Sequence, residues 1–426
     1  MTATPSIDAR AVVAESHAMP VDTVRTLRKS IQEVSPDGQL RSMPQREEYT
    51  VFEESTYVCS HVYTNDNGVK KADVFIWKGD DASEAAAEQA QIVARRVSKE
   101  VGGPAPRIIE QGHETPDFLQ AVGGILVTRR GSKQSAPKQY MLCGRKHLGH
   151  ITFDEVDFAV TSLCSGFVYL ISYPVTLQQT KLYLWKGSAC STEEISAARL
   201  AAMDLSETGD IIEVSDGAEF ASFLKVFGAG TTKADVPKPS RLWQQKSQRP
   251  DDFAVRLYKI QQVESRPGFF GSMFIRRPSW NSRPPSRSPS RDGEVIKVEA
   301  KHISPFVQAD FEAEGLYVFD AGAELYLLLG PLFASQVESV RDALFAQALL
   351  FANEYLVVRK EQHEASELLA NIVFSGVPSE VKMLVRHWDD GQGLWGTAGL
   401  MAGSRGGTEV VVLPLQEAID AVIEDS

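Results

Sequence analysis

The sequence has little cysteine, and its cysteines do not pair in any recognisable motif. The four of them, at positions 59, 143, 164 and 190, are widely separated and include no CxxC pair. Scattered thiols of this kind are typical of a reducing compartment and do not indicate a disulfide framework or a zinc finger. We therefore expect free thiols in a cytoplasmic protein.

Long apolar runs and a basic charge balance are also lacking. No stretch of 18 apolar residues occurs, which predicts no transmembrane segment. The first 20 residues contain no apolar run and already carry Asp8 and Glu15, unlike a secretory signal. The formal net charge of −12 argues against a chain that binds nucleic acid along its length.

Catalytic motifs are missing as well. The sequence has no Walker A, GxSxG, HExxH or EF-hand pattern, and its eight histidines show no metal-ligand spacing. "GQGLWG" at 391–396 matches GxGxxG, but it follows no predicted strand and opens no βαβ unit. We predict that the protein is not an enzyme.

What the sequence does contain is a repeated phrase. "DVFIWKGDDASEAAAEQA" recurs as "KLYLWKGSACSTEEISAA" and, more faintly, as "AELYLLLGPLFASQVESVRDAL". The turn glycines Gly79 and Gly187 lie 108 residues apart, and Gly187 and Gly330 lie 143 apart. Without the Ser/Arg/Pro-rich stretch 265–294, the two spacings are nearly equal. The repeat is thus about as long as one small domain.

Each copy predicts the same local structure. A continuous apolar run before the glycine indicates a buried strand, and apolar residues at helical spacing follow the glycine. Next come a β-branched strand and a short amphipathic segment that ends in Gly, as in "RIIEQGHETPDFLQAVGG", "IIEVSDGAEFASFLKVFG" and "YLVVRKEQHEASELLANIVFSG". The helical apolar positions are Ala86, Ala90, Val93, Val97 and Val101, then Ile195, Ala198, Ala202 and Leu205, then Val337, Val340, Leu344, Ala348 and Phe351. The predicted class is α+β, with a mixed central sheet between one long and one short helix.

These patterns predict the following division of the chain. The segments are a flexible N-terminal flank at 1–40, repeats at 41–133, 138–232 and 252–398, and a C-terminal tail at 399–426. The third repeat contains a disordered insertion at 265–294, because that composition cannot build a core.

The repeated residues resemble the gelsolin/villin family, whose repeats read as strand, W-x-G, long helix, V-x-E-G-x-E-P-x-x-F and a short helix ending in Gly. "FIWKGDDASEAAAEQAQIVARRVSKEVGG" and "IIEQGHETPDFLQAVGG" carry the resemblance, which covers 45–395. It implies three tandem gelsolin-like domains, similar to the C-terminal half of a six-repeat member. It further implies a cytoplasmic, cytoskeletal protein that binds actin and caps or severs filaments at the barbed end.

The resemblance also implies an actin-binding helix. Ile92 falls where the family places an apolar wedge, with Gln89, Arg95 and Arg96 on or beside the same outward stripe. The alternative is that Ile92 is one more core residue. The family has acidic residues one turn after the wedge, whereas this chain has Ser98 and Lys99.

Calcium ligands are poorly matched to the resemblance. Family sites combine an Asp at a central strand with a Glu early in the long helix, because Ca²⁺ requires carboxylate and carbonyl oxygens. The helix position holds Ala86, Glu194 and Val337 in the three copies, and the strand position holds Ser55, Gly166 and Gly315. Only Glu194 matches, and Glu193 and Glu194 also simply favour a helix N-terminus. We expect no cofactor and weak or lost calcium control.

The stretch 265–294 leaves a second function open. Its six arginines and several serines suggest phosphorylation, which would cancel the local positive charge. Alternatively, it attracts acidic surfaces such as actin or inositol phospholipids. In the second function, the repeats form a scaffold for other proteins, with this segment as a docking arm and no remodelling of actin.

Overall fold

The computed structural model describes residues 7–17, 24–176, 179–206, 210–250, 253–263, 296–362, 368–391, 395 and 410–424. Within these residues the strands form three mixed sheets, each covered by helices on both faces.

The first sheet has the strand order β2-β1-β4-β5-β6. Its strands are β1 (Arg25–Val34), β2 (Leu40–Ser42), β4 (Thr56–Thr64), β5 (Lys70–Lys78) and β6 (Arg107–Glu110). One face packs on the long helix α2 (Glu84–Val101), and the other packs on the short helix α3 (Pro116–Val122). Only the β5–β6 pair is parallel, because α2 carries the chain across the sheet between these two strands.

The second sheet is larger and has the order β12-β11-β10-β8-β9-β7-β3. Its strands are β3 (Thr50–Phe52), β7 (Ile125–Arg129), β8 (Tyr140–His147), β9 (His150–Val156), β10 (Val168–Thr176), β11 (Gln179–Lys186) and β12 (Ile211–Ser215). The long helix is α4 (Thr192–Leu205) and the short one is α5 (Ala221–Leu224). A further helix, α6 (Arg241–Lys246), leads towards the third sheet.

The third sheet has the order β14-β13-β15-β16-β17-β18. Its strands are β13 (Arg256–Gln262), β14 (Val298–Ile303), β15 (Leu316–Asp320), β16 (Glu324–Leu329), β17 (Leu369–Ser375) and β18 (Val411–Pro414). The long helix is α7 (Glu338–Gln362) and the short one is α8 (Ser379–Leu384). Helices α1 (Ala9–His17) and α9 (Leu415–Glu424) add buried residues to the core beneath α7. The predicted α+β class, with a long and a short helix on each mixed sheet, is confirmed.

The recurring turn glycine has a steric cause. A Cβ at Gly79, Gly187 or Gly330 would lie only 2.1, 2.4 or 2.2 Å from a backbone carbonyl oxygen of the loop beside it. No side chain fits at that distance, so glycine persists even in the faint third copy.

Two predicted boundaries are wrong. Arg25–Val34 is not a flexible flank, because β1 pairs with β4 along its length. Half of β1 is exposed and most of its residues are polar, so it carries little of the alternation that marks a strand. Similarly, β18 of the predicted tail pairs with β17. The predicted insertion 265–294 lies outside the described residues.

Three further expectations need correction. Strands β3 and β7 lie inside the predicted first repeat, yet they extend the second sheet, because β7 pairs with β9 in parallel. Val337 was expected on the buried face of the third long helix, but it is 70% exposed and precedes that helix. The "YLVV" segment is helical rather than extended, since α7 continues to Gln362.

Candidate functional site

Helix α2 is rigidly bounded and strongly two-sided. The Ser83 hydroxyl accepts a hydrogen bond from the Ala86 N–H at 3.3 Å, which caps its N-terminus. Gly102 ends the helix in the left-handed conformation, with φ of 73°. Ala90, Val93 and three further alanines are buried against the first sheet. The opposite face is therefore held in a fixed orientation towards the surface.

The predicted site residues lie on or beside this outward face. Ile92 is 60% exposed, so it is not a core residue. Arg95 and Arg96 are exposed on either side of it, and Gln89 is half-buried at the border, next to the loop at Gly38. An isolated apolar side chain ringed by polar groups is the usual composition of a protein-binding hot spot.

The ion pair on this face is long and exposed to solvent. Arg96 Nε lies 3.9 Å from Glu100 Oε1, and both side chains are mostly exposed. An ion pair of this kind contributes little in water, so the Arg96 guanidinium is available to a partner. Ser98, by contrast, is buried and donates to the Gly103 carbonyl at 3.1 Å, so it does not take part in the outward face.

A groove of about 510 Å³ runs beside the helix, between α2 and β6. Arg95 and Lys99 line it on the helix side, and Ile108 of β6 lines it on the sheet side. Ile108 is 53% exposed and was missed from the sequence, where "RIIE" indicates only a strand. The available signal was the pair of adjacent isoleucines: successive strand side chains point to opposite faces, so Ile108 faces away from the buried Ile109.

The two tryptophans of the repeated phrase are each tied to a glutamate of the following motif. Trp77 Nε1 donates to Glu114 Oε1 at 2.9 Å, and Trp185 Nε1 donates to Glu219 Oε1 at 3.0 Å. A buried indole N–H needs an acceptor, which explains why the two motifs occur together. In the third copy Leu328 stands at the position of the tryptophan.

A buried arginine after α8 forms ion pairs with one carboxylate that follows β6 of the first sheet and with another on β9 of the second sheet. Arg386, just after α8, donates from Nη1 to Glu114 Oε2 at 2.7 Å. Its Nε and Nη2 donate to the two oxygens of Asp154 at 2.9 and 2.8 Å. Burial by itself would raise the pKa of Asp154, but the Arg386 guanidinium holds that pKa well below its ordinary value.

His113, which lies between β6 and α3, contacts Asp310, which precedes β15 of the third sheet. His113 Nε2 lies 3.0 Å from Asp310 Oδ2, and both side chains are partly buried. The hydrogen bond to Asp310 raises the pKa of His113 above its ordinary value, despite the opposing effect of burial. This contact therefore favours the protonated imidazole.

The positions that the resemblance assigns to calcium do not fit a divalent cation. Ala86 is buried and apolar, the Ser55 hydroxyl donates to Glu33 Oε1 at 2.8 Å, and Val337 points to solvent. In the described part of the chain, no group of three or more His, Cys, Asp or Glu side chains is arranged around a metal position.

Glu194 keeps its carboxylate, but other groups already bind it. Its Oε2 accepts the Ser191 N–H at 2.7 Å in a capping box at the start of α4. Its Oε1 accepts the Lys146 N–H at 3.1 Å and lies 3.4 Å from Lys246 Nζ. Both oxygens of this carboxylate are thus already engaged by donors.

Two family models match the chain. A model described as a domain of unknown function (DUF7904) matches residues 30–130, and one described as a gelsolin repeat matches residues 150–224. Among the helices of the described residues, none combines the length and the apolar character that a membrane crossing requires.

Individual relatives share less than 30% of their residues with this chain over the matched regions. Gelsolin of Drosophila melanogaster is 22% identical over 280 residues, which are 65% of this chain and 29% of that protein. Cytoplasmic gelsolin of Homarus americanus is 27% identical over 205 residues, covering 44% of this chain and 26% of that protein. A crystal structure of the Thorarchaeota 2DGel3/rabbit actin complex matches 47% of this chain at 16% identity, with a TM-score of 0.19. The chain spans less than a third of the length of these two curated relatives.

Proposed function

We propose that this chain, which carries gelsolin-like repeats and is related to the gelsolin family, binds actin through the outward face of α2. In this proposal each sheet is the centre of one gelsolin-like domain, and the first supplies the contact. Binding at the barbed end would cap or sever filaments in a cytoplasmic, cytoskeletal setting. The observation that carries the proposal is the exposure of Ile92 at the centre of a helix face that is otherwise polar.

The chemistry of the face supports a protein partner. Ile92 and Ile108 would each lose water on insertion into an apolar cleft, which is the main source of binding free energy. Arg95, Arg96 and Lys99 surround them with positive charge. Such charge would steer the helix towards an acidic surface, as the resemblance implies for actin.

Calcium control is proposed to be weak. In none of the three repeats do the aligned positions provide both a carboxylate in the long helix and a second carboxylate at the strand. Activity on actin should therefore be similar in calcium and in chelator.

The test is Ile92→Asp in filament pelleting and pyrene-actin depolymerisation, each run with calcium and with chelator. Loss of a hot-spot side chain costs about 2 kcal/mol or more, which weakens binding about 30-fold. Leu200→Asp is a matched control, because Leu200 is also 60% exposed but lies on α4. Equal binding by wild type and Ile92→Asp, or no binding by wild type in either condition, would contradict the proposal.

The alternative function is a scaffold that binds other proteins without remodelling actin. It is favoured by the absence of a free calcium-type ligand pair at the aligned positions. It predicts that Ile92→Asp leaves the main binding partners unchanged in co-precipitation, whereas the actin proposal predicts loss of actin from that set.

A further inference from the structure

The side chain of Lys246, the last residue of α6, is buried beside the second sheet. The Lys246 side chain is 3% exposed, although lysine is almost never buried without a partner. Its Nζ donates to the Gly166 carbonyl oxygen at 2.5 Å and lies 3.4 Å from Glu194 Oε1. These two residues are the pair that the resemblance aligns with a calcium site.

The surroundings of the ammonium are built to hold a cation. The Phe167 and Phe253 rings each lie 5.1 Å from Nζ, within the range of a cation–π interaction. The Gly166 carbonyl oxygen and the Glu194 carboxylate are the oxygen partners. A compact positive charge is therefore compensated by two oxygens and two aromatic faces.

Helix α6 also prevents a carboxylate side chain at position 166, the strand position that the resemblance aligns with a calcium ligand. A Cβ at Gly166 would lie only 2.4 Å from Cε3 of the Trp243 ring, which belongs to α6. An aspartate therefore cannot occupy this position while α6 is docked. One helix thus contributes both the ring that requires glycine and the ammonium beside it.

We propose that Lys246 is a built-in cation, which fills the position of a divalent ion and keeps α6 docked on the second sheet without calcium. Calcium needs six to eight oxygen ligands. Among the described residues Glu194 is the one carboxylate paired with Lys246, and both of its oxygens already accept backbone N–H groups. The ammonium needs only three acceptors. This inference does not depend on actin binding.

The test measures thermal unfolding of the full chain in chelator, in calcium and in magnesium, each cation at about 1 mM, the weak end of protein calcium sites. Wild type should show the same Tm in all three. Lys246→Glu places a second buried carboxylate opposite Glu194, so its Tm in chelator should fall by about 5 °C or more. Calcium should restore part of this loss, because two carboxylates and a carbonyl then face the vacated position.

Two controls separate this effect from general charge reversal. Lys246→Met should also lower the Tm but should not respond to calcium, because it adds no ligand. Lys186→Glu reverses a lysine that pairs with Glu213 at 2.8 Å nearer the surface, and its Tm should not respond to calcium either.

Three results would overturn the proposal. The first is a saturable rise in the wild-type Tm with calcium that Glu194→Gln abolishes, which would show an open ion site. The second is a Lys246→Glu variant as stable as wild type in chelator. The third is a destabilised Lys246→Glu variant that calcium does not restore. If Lys246→Glu fails to fold, the wild-type and Glu194→Gln titrations still decide the question.

Discussion

Arg386 is the side chain whose loss should affect the described core most. Replacing it with methionine keeps most of the volume but removes three charge-assisted hydrogen bonds of 2.7–2.9 Å. It also leaves the carboxylates of Glu114 and Asp154 buried without the guanidinium, with exposed fractions of 0% and 4% for their side chains. His387 Nε2, at 3.3 Å, still contacts Asp154 Oδ1. Breaking a buried ion pair from one side costs about 3–5 kcal/mol, so we expect a loss of that size at pH 7.

The assay is urea unfolding followed by tryptophan fluorescence, comparing the midpoint of the first transition. Arg199→Met is the matched control. Arg199 also forms a two-bond pair, with Glu213 at 2.7 and 3.0 Å, but on the surface, where the pair is screened by water. The control should change the midpoint very little.

The pH dependence gives a second, independent check. In wild type the pKa of Asp154 is lowered, so its stabilisation is present above the unfolded pKa and is lost only as pH falls through the lowered value. In Arg386→Met, burial raises that pKa and the His387 contact still opposes it, so the penalty grows as pH rises. The difference between variant and wild type should therefore be largest near pH 7 and shrink towards pH 4. A loss no larger than that of Arg199→Met, or a difference independent of pH, would refute the reasoning.

Two further predictions concern the repeated turn and the histidine contact. Gly187→Ala should lower the unfolding free energy by about 1–3 kcal/mol, because its Cβ would overlap a carbonyl oxygen, whereas Gly230→Ala, with open space around it, should be nearly neutral in thermal unfolding. Equal effects of the two would contradict the steric account of the turn. For His113, whose pKa is raised by Asp310, the stabilisation is fully present below the unfolded pKa and disappears as pH rises through the folded one. The stability deficit of His113→Gln should thus be larger at pH 6 than at pH 8.5 in urea titrations, and a constant deficit would count against the contact.

Much of the fold could be predicted because its strongest signals are local. The apolar strand, the turn glycine and the helical spacing after it are all readable within about 30 residues, and each depends on short-range sterics and periodicity. For Ile92 the sequence left two alternatives, the outward stripe of α2 and the core, and its 60% exposure decides between them. The weak elements were missed where that pattern fades, as in β1, where only Ile31 and Val34 are buried.

What the sequence by itself determined, then, is the repeated α+β unit and the long helix that contains Ile92, whereas the exposure of Ile92 came from the structure. Only the tertiary structure decided which distant residues meet. Arg386 reaches Asp154 across 232 residues, and Lys246 reaches Gly166 across 80. The physical reason is that a periodic pattern reports which face of an element is apolar, whereas a buried charge finds its partner only when separate sheets pack together. For that reason the sequence could align Glu194 with a ligand position, but only the packed chain places Lys246 Nζ 3.4 Å from its Oε1.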